Sequence, residues 1–87
     1  MVSYNIRWKK SSVKELRKVH KETIPRLIEA VDKLAFNPYP AGAKKLVGSE
    51  HTYRIKVGNY RIVYEIEESQ IIIEIIRIRH RKDIYRK

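Results

Sequence analysis

The hydrophobic positions repeat every second residue at residues 4–9 and 53–64, follow helical spacing between these segments, and form a nearly continuous run at residues 71–78. Residues 4–9 alternate and predict a short first strand. Residues 11–20 and 23–35 carry apolar side chains at the spacing of two amphipathic helices. We expect Ser11 or Ser12 to cap the first helix, with Glu15 three residues after Ser12 as in a capping box.

The stretch from residue 53 to residue 64 predicts a β-hairpin. Two strictly alternating runs flank Gly58 and Asn59, a pair typical of two-residue turns that need positive φ. Closing the hairpin at this turn sets Lys56 directly opposite Arg61. Because side chains alternate across a strand, the apolar and aromatic residues share one face. The other face holds the cations Arg54, Lys56 and Arg61.

A turn near Glu68 precedes a last strand at residues 70–79, and a basic tail follows it. Residues 37–52 are expected to form a loop. The order is βααβββ, so we predict an α+β fold in which two N-terminal helices pack on a small antiparallel sheet. With 87 residues and no internal repeat or linker, the chain is predicted to be one domain, residues 1–87.

The chain is strongly basic, with 20 lysines and arginines against 10 acidic residues and a net charge of +10. Such a charge predicts a nucleic acid, an acidic protein or an anionic membrane surface as partner. The absence of cysteine excludes disulfides, a thiol nucleophile and a zinc–thiolate site. No apolar run approaches membrane-spanning length and the first residues lack a signal core, so we expect a cytoplasmic protein with no membrane partner.

The three histidines show no metal-ligand spacing, and the chain has neither a Gly-rich phosphate loop nor a nucleophile elbow. We therefore expect no metal and no organic cofactor. The remaining chemistry belongs to the cations. Lys56 and Arg61 repel each other across the predicted ladder, an arrangement that folding alone would not favour and that a bound phosphate would.

The cations together with Tyr85 and His80 can still cleave RNA, because the 2′-hydroxyl of the substrate can attack the adjacent phosphate and the protein need only move protons and stabilise charge. Arginine forks suit the charged, phosphorane-like transition state, since they are planar, bidentate and always charged. A lysine can accept the proton only when it is uncharged, a form that neighbouring cations favour. Lys56 is therefore the candidate general base, and a simple phosphate clamp explains its position equally well.

Two segments resemble a known family. Residues 53–64, Tyr-Arg-Ile-Lys-Val-Gly-Asn-Tyr-Arg-Ile-Val-Tyr, and residues 78–85, Ile-Arg-His-Arg-Lys-Asp-Ile-Tyr, are similar to the RelE branch of the RelE/ParE toxin superfamily. The resemblance spans almost the whole chain and implies a microbial-ribonuclease-like RelE fold. Toxins of this branch belong to type II toxin–antitoxin modules and cut messenger RNA in the ribosomal A site.

The resemblance implies roles for the hairpin cations. Arg54 and Lys56 would contribute phosphate binding and base chemistry, and Arg61 would stabilise the transition state. The family often has lysine where this chain has Arg54. Because arginine is a poor base, proton transfer would then depend on Lys56.

The tail would complete the site. Arg81 would share transition-state stabilisation, and Tyr85 would stack on a base or handle a proton. His80 is a secondary candidate, because related toxins can carry a catalytic histidine at that position. The further predicted RNA contacts are Arg77, Arg79, Lys82, Lys44 and Lys45.

The implied activity is that of a metal-independent, ribosome-dependent mRNA endoribonuclease that inhibits translation. Its expected partners are the ribosome with its rRNA, the mRNA in the A site, and a cognate antitoxin that wraps over the toxin in a hetero-oligomer. Two alternatives stay open. One is a ParE-like toxin that inhibits gyrase, and the other is a non-catalytic nucleic-acid-binding member of the superfamily.

Overall fold

The computed structural model describes residues 3–84, and within them five strands and three helices follow one another. In chain order they are β1 (Asn5–Trp8), α1 (Lys10–Arg17), α2 (Ile24–Leu34), β2 (Lys44–Lys45), β3 (Thr52–Val57), β4 (Tyr60–Glu67), β5 (Ile72–His80) and α3 (Arg81–Ile84). The predicted βααβββ order is confirmed, with β2 and α3 as additions. These two elements have two and four residues, too few for a repeat to be visible in the sequence.

The strands form one sheet in the order β1-β5-β4-β3-β2. β1 is parallel to β5, with Asn5 beside Ile72 and Trp8 beside Ile75, and the other neighbouring pairs are antiparallel. The α+β fold with two helices packed on a sheet is confirmed, but the sheet is mixed rather than antiparallel throughout. Alternation along β1 carries no information about its partner or its direction, and both helices separate β1 from the other strands in sequence.

The β3–β4 hairpin has the predicted register. Lys56 lies opposite Arg61, and Ile55 lies opposite Ile62. Of the two turn residues, only Gly58 has positive φ, at 58°. Glycine adopts that conformation without the steric penalty that a Cβ atom brings, so the turn residue and the alternating runs together set the pairing.

A β-bulge changes the phase of β5. Val63 pairs with Arg77, but the next residue of β4, Tyr64, pairs with Ile75, so Ile76 is the extra residue on β5. The same shift aligns the arginines of β5 with the cations of the hairpin. This register could not be derived from the nearly continuous run of isoleucines.

The core lies between the helices and one face of the sheet. Leu27, Val31 and Leu34 of α2 are at most 1% exposed and pack in one cluster with Ile62 and Tyr64 of β4. Burial of each such side chain contributes about 1.5–3 kcal/mol to folding. We call the face that points away from this core the open face. Within residues 3–84, no helix is long and apolar enough to cross a membrane.

The start of α1 differs from the prediction. Lys9 is the N-cap residue and has no side-chain capping bond. The hydroxyl of Ser12 donates to the Lys9 carbonyl at 2.6 Å, and the carboxylate of Glu15 accepts the backbone N–H of Ile78 at 3.0 Å. The predicted capping box is therefore wrong. β5 extends beyond the end of β1, so the N–H of Ile78 has no partner in β1. Glu15 accepts this N–H instead of capping the start of α1.

Candidate nucleic-acid interface

Two rows of cross-strand partners run over the open face near the hairpin. One row crosses β3, β4 and β5 at Lys56, Arg61 and Arg79. The other crosses β2, β3, β4 and β5 at Lys44, Arg54, Val63 and Arg77. We call the six cations of these two rows the basic end of the open face. The structure thus brings together six of the residues that the sequence nominated.

Four of these cations meet at one cleft. The cleft has a volume of about 300 Å³ and is lined by Gly42, Lys44, Arg54, Ile55, Lys56 and Arg61. Among the side chains that the structure describes, none of these four cations forms an ion pair. Uncompensated charges that converge on a concave surface create a positive potential that attracts a polyanion.

Arg61 is buried, with 9% of its surface exposed. Its Nη1 atom donates to the carbonyls of Gly58 and Tyr60, at 3.2 and 3.0 Å. These bonds hold the guanidinium against the turn and leave Nε and the second terminal nitrogen for another acceptor. Burial of a cation without a counter-charge is unfavourable, so an anion bound beside Lys56 and Arg61 would offset the lost solvation.

The two arginines of β5 differ from the hairpin cations because they have a counter-ion. Oε2 of Glu15 lies 2.8 Å from Nε of Arg79 and 3.6 Å from Nη1 of Arg77. The N–H of Arg79 Nε does not point at the oxygen, so this contact is an ion pair without a hydrogen bond. The positive charge at this edge of the basic end is therefore partly neutralised.

The tail approaches the hairpin through its backbone. Arg81 begins α3, and its N–H donates to the carbonyl of Asn59 in the hairpin turn at 2.7 Å. Both Arg81 and Lys82 are exposed. Tyr85, the predicted stacking residue, lies outside the described residues.

His80 lies on the other side of the sheet from the basic end. It pairs with Tyr60 across β4 and β5, and the centroids of the two rings are 5.3 Å apart at an interplanar angle of 81°. Its Nδ1 atom accepts the backbone N–H of Lys82 at 3.2 Å, so the proton of the neutral ring is on Nε2. The structure does not bring this secondary candidate onto the face of the hairpin cations.

The two lysines of β2 are separated by the alternation of the strand. Lys44 pairs with Arg54 and lines the cleft. Lys45 pairs with Tyr53, whose ring stacks on that of Tyr64 in the core, so Lys45 belongs to the opposite face. Only Lys44 of this pair lies with the other cations.

Sequence reasoning missed the contacts of Glu15 with β5. The spacing between Ser12 and Glu15 matched a helix cap, and this match hid the long-range contact with β5. Only the register of β5 shows that Arg79 is the direct partner of Arg61.

Two tyrosines with shifted pKa values lie away from the basic end. Burial raises the pKa of Tyr64 to about 12, and its hydroxyl donates to the Pro38 carbonyl at 2.8 Å. A hydrogen bond to the Glu68 carboxylate raises the pKa of Tyr39. Both groups therefore keep their protons near neutral pH. Residues 3–84 contain no group of three or more His, Cys, Asp or Glu side chains that could hold a metal ion.

Comparison with known proteins identifies the family of the chain. A family model described as ParE toxin of type II toxin-antitoxin system, parDE, matches residues 6–85. Toxin RelE3 of Methanocaldococcus jannaschii is 39% identical over 80 residues, which cover 87% of this chain and 89% of that relative. The chain belongs to the RelE family of type II toxins.

Further members of the RelE family agree with this assignment. Toxin RelG of Mycobacterium tuberculosis is 30% identical over 92 residues, which cover 97% of this chain and 98% of the relative. A chain of the archaeal RelE–RelB complex from Pyrococcus horikoshii OT3 has 28% identity and a TM-score of 0.81, over 91% of this chain and 96% of that chain. The predicted RelE resemblance and the RelE fold are confirmed.

Proposed function

We propose that this RelE-family toxin is a ribosome-dependent mRNA endoribonuclease that acts without a metal ion. The supporting observation is the buried Arg61, which lies opposite Lys56 and has no counter-ion among the side chains described. A phosphodiester in the cleft would supply the missing negative charge. It would also accept hydrogen bonds from the guanidinium nitrogens that the turn carbonyls leave free.

The reaction that suits these groups needs no nucleophile from the protein. The 2′-oxygen of the substrate attacks the adjacent phosphorus, and its proton passes to Lys56 in its uncharged form. The bond to the 5′-oxygen breaks, so the products are a 2′,3′-cyclic phosphate and a 5′-hydroxyl end. Arg61 stabilises the charge of the phosphorane-like transition state, because a guanidinium already held by the turn needs no reorganisation as charge develops. Arg54 and Lys44 bind the neighbouring phosphates.

The tail completes the site in this proposal. The backbone hydrogen bond from Arg81 to Asn59 holds α3 at the same turn that Arg61 contacts. Arg81 is therefore the second candidate for stabilising the charge of the transition state. Tyr85, four residues further along the chain, is the candidate for stacking on a base or for protonating the leaving oxygen. Translated mRNA as substrate places the activity in the cytoplasm, on the ribosome.

A cognate antitoxin is the second part of the proposal. The Pyrococcus relative forms a complex with RelB. In this chain, a groove of about 500 Å³ between the end of α2 and β3 is lined mainly by apolar residues, among them Leu34, Phe36 and Val57. Phe36 is 68% exposed, and Lys56 lines both this groove and the cleft. An antitoxin helix with an apolar face and acidic flanks would fill the groove in a hetero-oligomer and block Lys56.

Purified protein and programmed ribosomes test the activity. We expect toxin that has been stripped of metal with EDTA and then desalted to cleave within the A-site codon of ribosomes kept intact by Mg²⁺, with mapped ends that are absent when Arg61→Met replaces the wild type. Glu65→Gln, a change on the same strand away from the cleft, should cleave like the wild type. Intact mRNA on ribosomes would refute the proposal. DNA breaks on induction with translation intact would instead support gyrase inhibition, the alternative suggested by the ParE family model.

A further inference from the structure

Glu15 contacts three consecutive residues of β5. Its Oε1 atom accepts the N–H of Ile78 at 3.0 Å, and its Oε2 atom lies 2.8 Å from Nε of Arg79 and 3.6 Å from Nη1 of Arg77. The side chain of Glu15 is 21% exposed. These contacts tie α1 to the part of β5 that extends beyond the end of β1 at Trp8.

The contacts determine how the guanidinium of Arg79 is oriented. Its Nε atom is buried beside Glu15, whereas the side chain as a whole is 36% exposed. Of the five N–H donors of an arginine, Nε has one, so four donors on the terminal nitrogens remain for an anion. Arg79 is also the direct cross-strand partner of Arg61, which the turn carbonyls hold in place. Two arginines that are held by contacts within the protein are therefore direct cross-strand partners on neighbouring strands.

We infer that Glu15 is a positioning residue for RNA cleavage, and that it holds Arg79 beside Arg61 so that both guanidinium groups bind the scissile phosphate. The inference rests on the proposed function. A free arginine side chain loses rotamer freedom when it binds, and one already held loses less. Because the negative charge on the phosphate is greatest in the transition state, losing this arrangement lowers turnover more than it lowers affinity for RNA.

A purely structural role for Glu15 leads to a different expectation. The bond to the Ile78 N–H stabilises the edge of β5 whether or not Arg79 takes part in cleavage. Glu15→Gln separates the two roles, because the amide oxygen can still accept that N–H while the charge that holds Arg79 is lost. Glu74→Gln is the matched control, since Glu74 also pairs with an arginine of the sheet, Arg7, at 3.5 Å.

The first experiment measures kcat and KM of both variants on programmed ribosomes, together with their Tm. For Glu15→Gln we expect kcat to fall about ten- to a hundredfold with KM within about twofold of the wild type. For Glu74→Gln we expect both constants to match the wild type. A kcat for Glu15→Gln equal to that of the control would overturn the inference.

A double-mutant cycle with Arg79→Ala gives a result that does not depend on the stability of the variant. If Glu15 acts through Arg79, then Glu15→Gln has no further effect on kcat in the Arg79→Ala protein. The same fold-loss in both backgrounds would show that Glu15 acts on the fold as a whole, and would overturn the inference.

An NMR measurement without RNA separates this inference from the proposed function. We expect the Arg79 Nε–H bond vector to have a high order parameter in the wild type and in Glu74→Gln, and a low one in Glu15→Gln. A low order parameter in the wild type would overturn the positioning role directly. A wild type that does not cleave mRNA would refute the proposed function and with it the catalytic purpose of Glu15, while an order parameter that falls only in Glu15→Gln would still establish that Glu15 holds Arg79.

Discussion

The open face of the sheet has two ends of opposite charge, separated by the β-bulge. The basic end lies towards the hairpin turn, and beyond the bulge lie Glu65, Glu67 and Glu74, which we call the acidic end. Both ends place like charges directly across a ladder, since Lys56 faces Arg61 and Glu65 faces Glu74. Facing like charges therefore do not by themselves mark a binding site.

The two ends differ in burial and in counter-charge. At the acidic end, Glu65 and Glu67 are exposed, and Glu74 pairs with Arg7. At the basic end, Arg61 is buried and forms no ion pair with any side chain in the described part of the chain. Solvent exposure and a neighbouring cation compensate the acidic end, whereas the buried Arg61 has neither among the residues that the structure describes. The burial of a cation, rather than charge repulsion, is the feature that indicates a functional site here.

The largest expected effect tests whether the basic end performs chemistry or only binds. Lys56→Arg keeps the positive charge, but a guanidinium does not give up its proton. We expect single-turnover cleavage to slow about 10²–10⁴-fold, the usual contribution of acid–base catalysis, with RNA affinity nearly unchanged. A variant that cleaves as fast as the wild type would make Lys56 a phosphate clamp and the basic end a passive counterpart of the acidic end.

The next largest effect is expected from removing the buried positive charge of Arg61, which distinguishes the basic end from the acidic end. Arg61→Met removes that charge and keeps an unbranched apolar side chain. We expect cleavage to fall about 10²–10³-fold, and the free energy of unfolding in urea to stay equal or rise, because replacing a buried charge by an apolar group is often neutral or stabilising.

Glu65→Gln is the control for that variant at the acidic end, where it relieves the repulsion with Glu74. It should leave cleavage unchanged. A marked loss of stability in Arg61→Met, with cleavage retained, would mean that the guanidinium serves the fold. The contrast between the two ends would then have no functional meaning.

A smaller effect concerns the boundary between the two ends. Tyr64 follows the register shift, and its buried hydroxyl donates to the Pro38 carbonyl. Tyr64→Phe leaves that carbonyl without its partner and should lower the free energy of unfolding by about 1–3 kcal/mol in urea denaturation. Tyr53, the half-buried cross-strand partner of Tyr64, provides the control. Tyr53→Phe should lower the free energy of unfolding by less than Tyr64→Phe does. Equal costs would show that the bond to Pro38 does not hold the boundary.

The same tyrosine predicts a pH dependence of stability. Burial raises the pKa of Tyr64 from 10.0 to about 12. Below pH 10.0 both the folded and the unfolded state keep the proton, and the stabilisation is fully present. As the pH rises through the native pKa, the unfolded chain is favoured because it has already released its proton, so stability is lost. Between these two pH values, the free energy of unfolding should fall less steeply with pH in Tyr64→Phe than in the wild type. Identical slopes for the two proteins would contradict the assignment of this pH dependence to Tyr64.

The smallest expected effect tests how far the basic end extends. Lys44→Gln should weaken RNA binding a few-fold and reduce the salt dependence by about one phosphate contact. Lys45→Gln makes the same change one residue away, on the other face of β2, and should have no effect. RNA affinity measured over a range of salt concentrations distinguishes the two variants. An equal loss of affinity in both would show that the basic surface extends beyond the cleft.

Local and long-range contacts explain which predictions succeeded. The pairing of Lys56 with Arg61 was correct because the Gly58 turn and the two alternating runs set a register through neighbours in sequence. The predicted capping box at Ser12 was wrong because the carboxylate of Glu15 accepts the backbone N–H of Ile78, which is 63 positions away from Glu15. No pattern around Glu15 could show that donor.

By itself, the sequence determined the two helices, the hairpin with its register, the shared face of Arg54, Lys56 and Arg61, and the resemblance to RelE toxins. These features follow from periodicity and turn chemistry, which act between neighbouring residues. Only the tertiary structure decided the direction of β1, the bulge that brings Arg79 beside Arg61, and the contact of Glu15 with both β5 arginines. Those depend on how distant segments satisfy each other's hydrogen bonds and charges, and the packed fold is what brings such segments together.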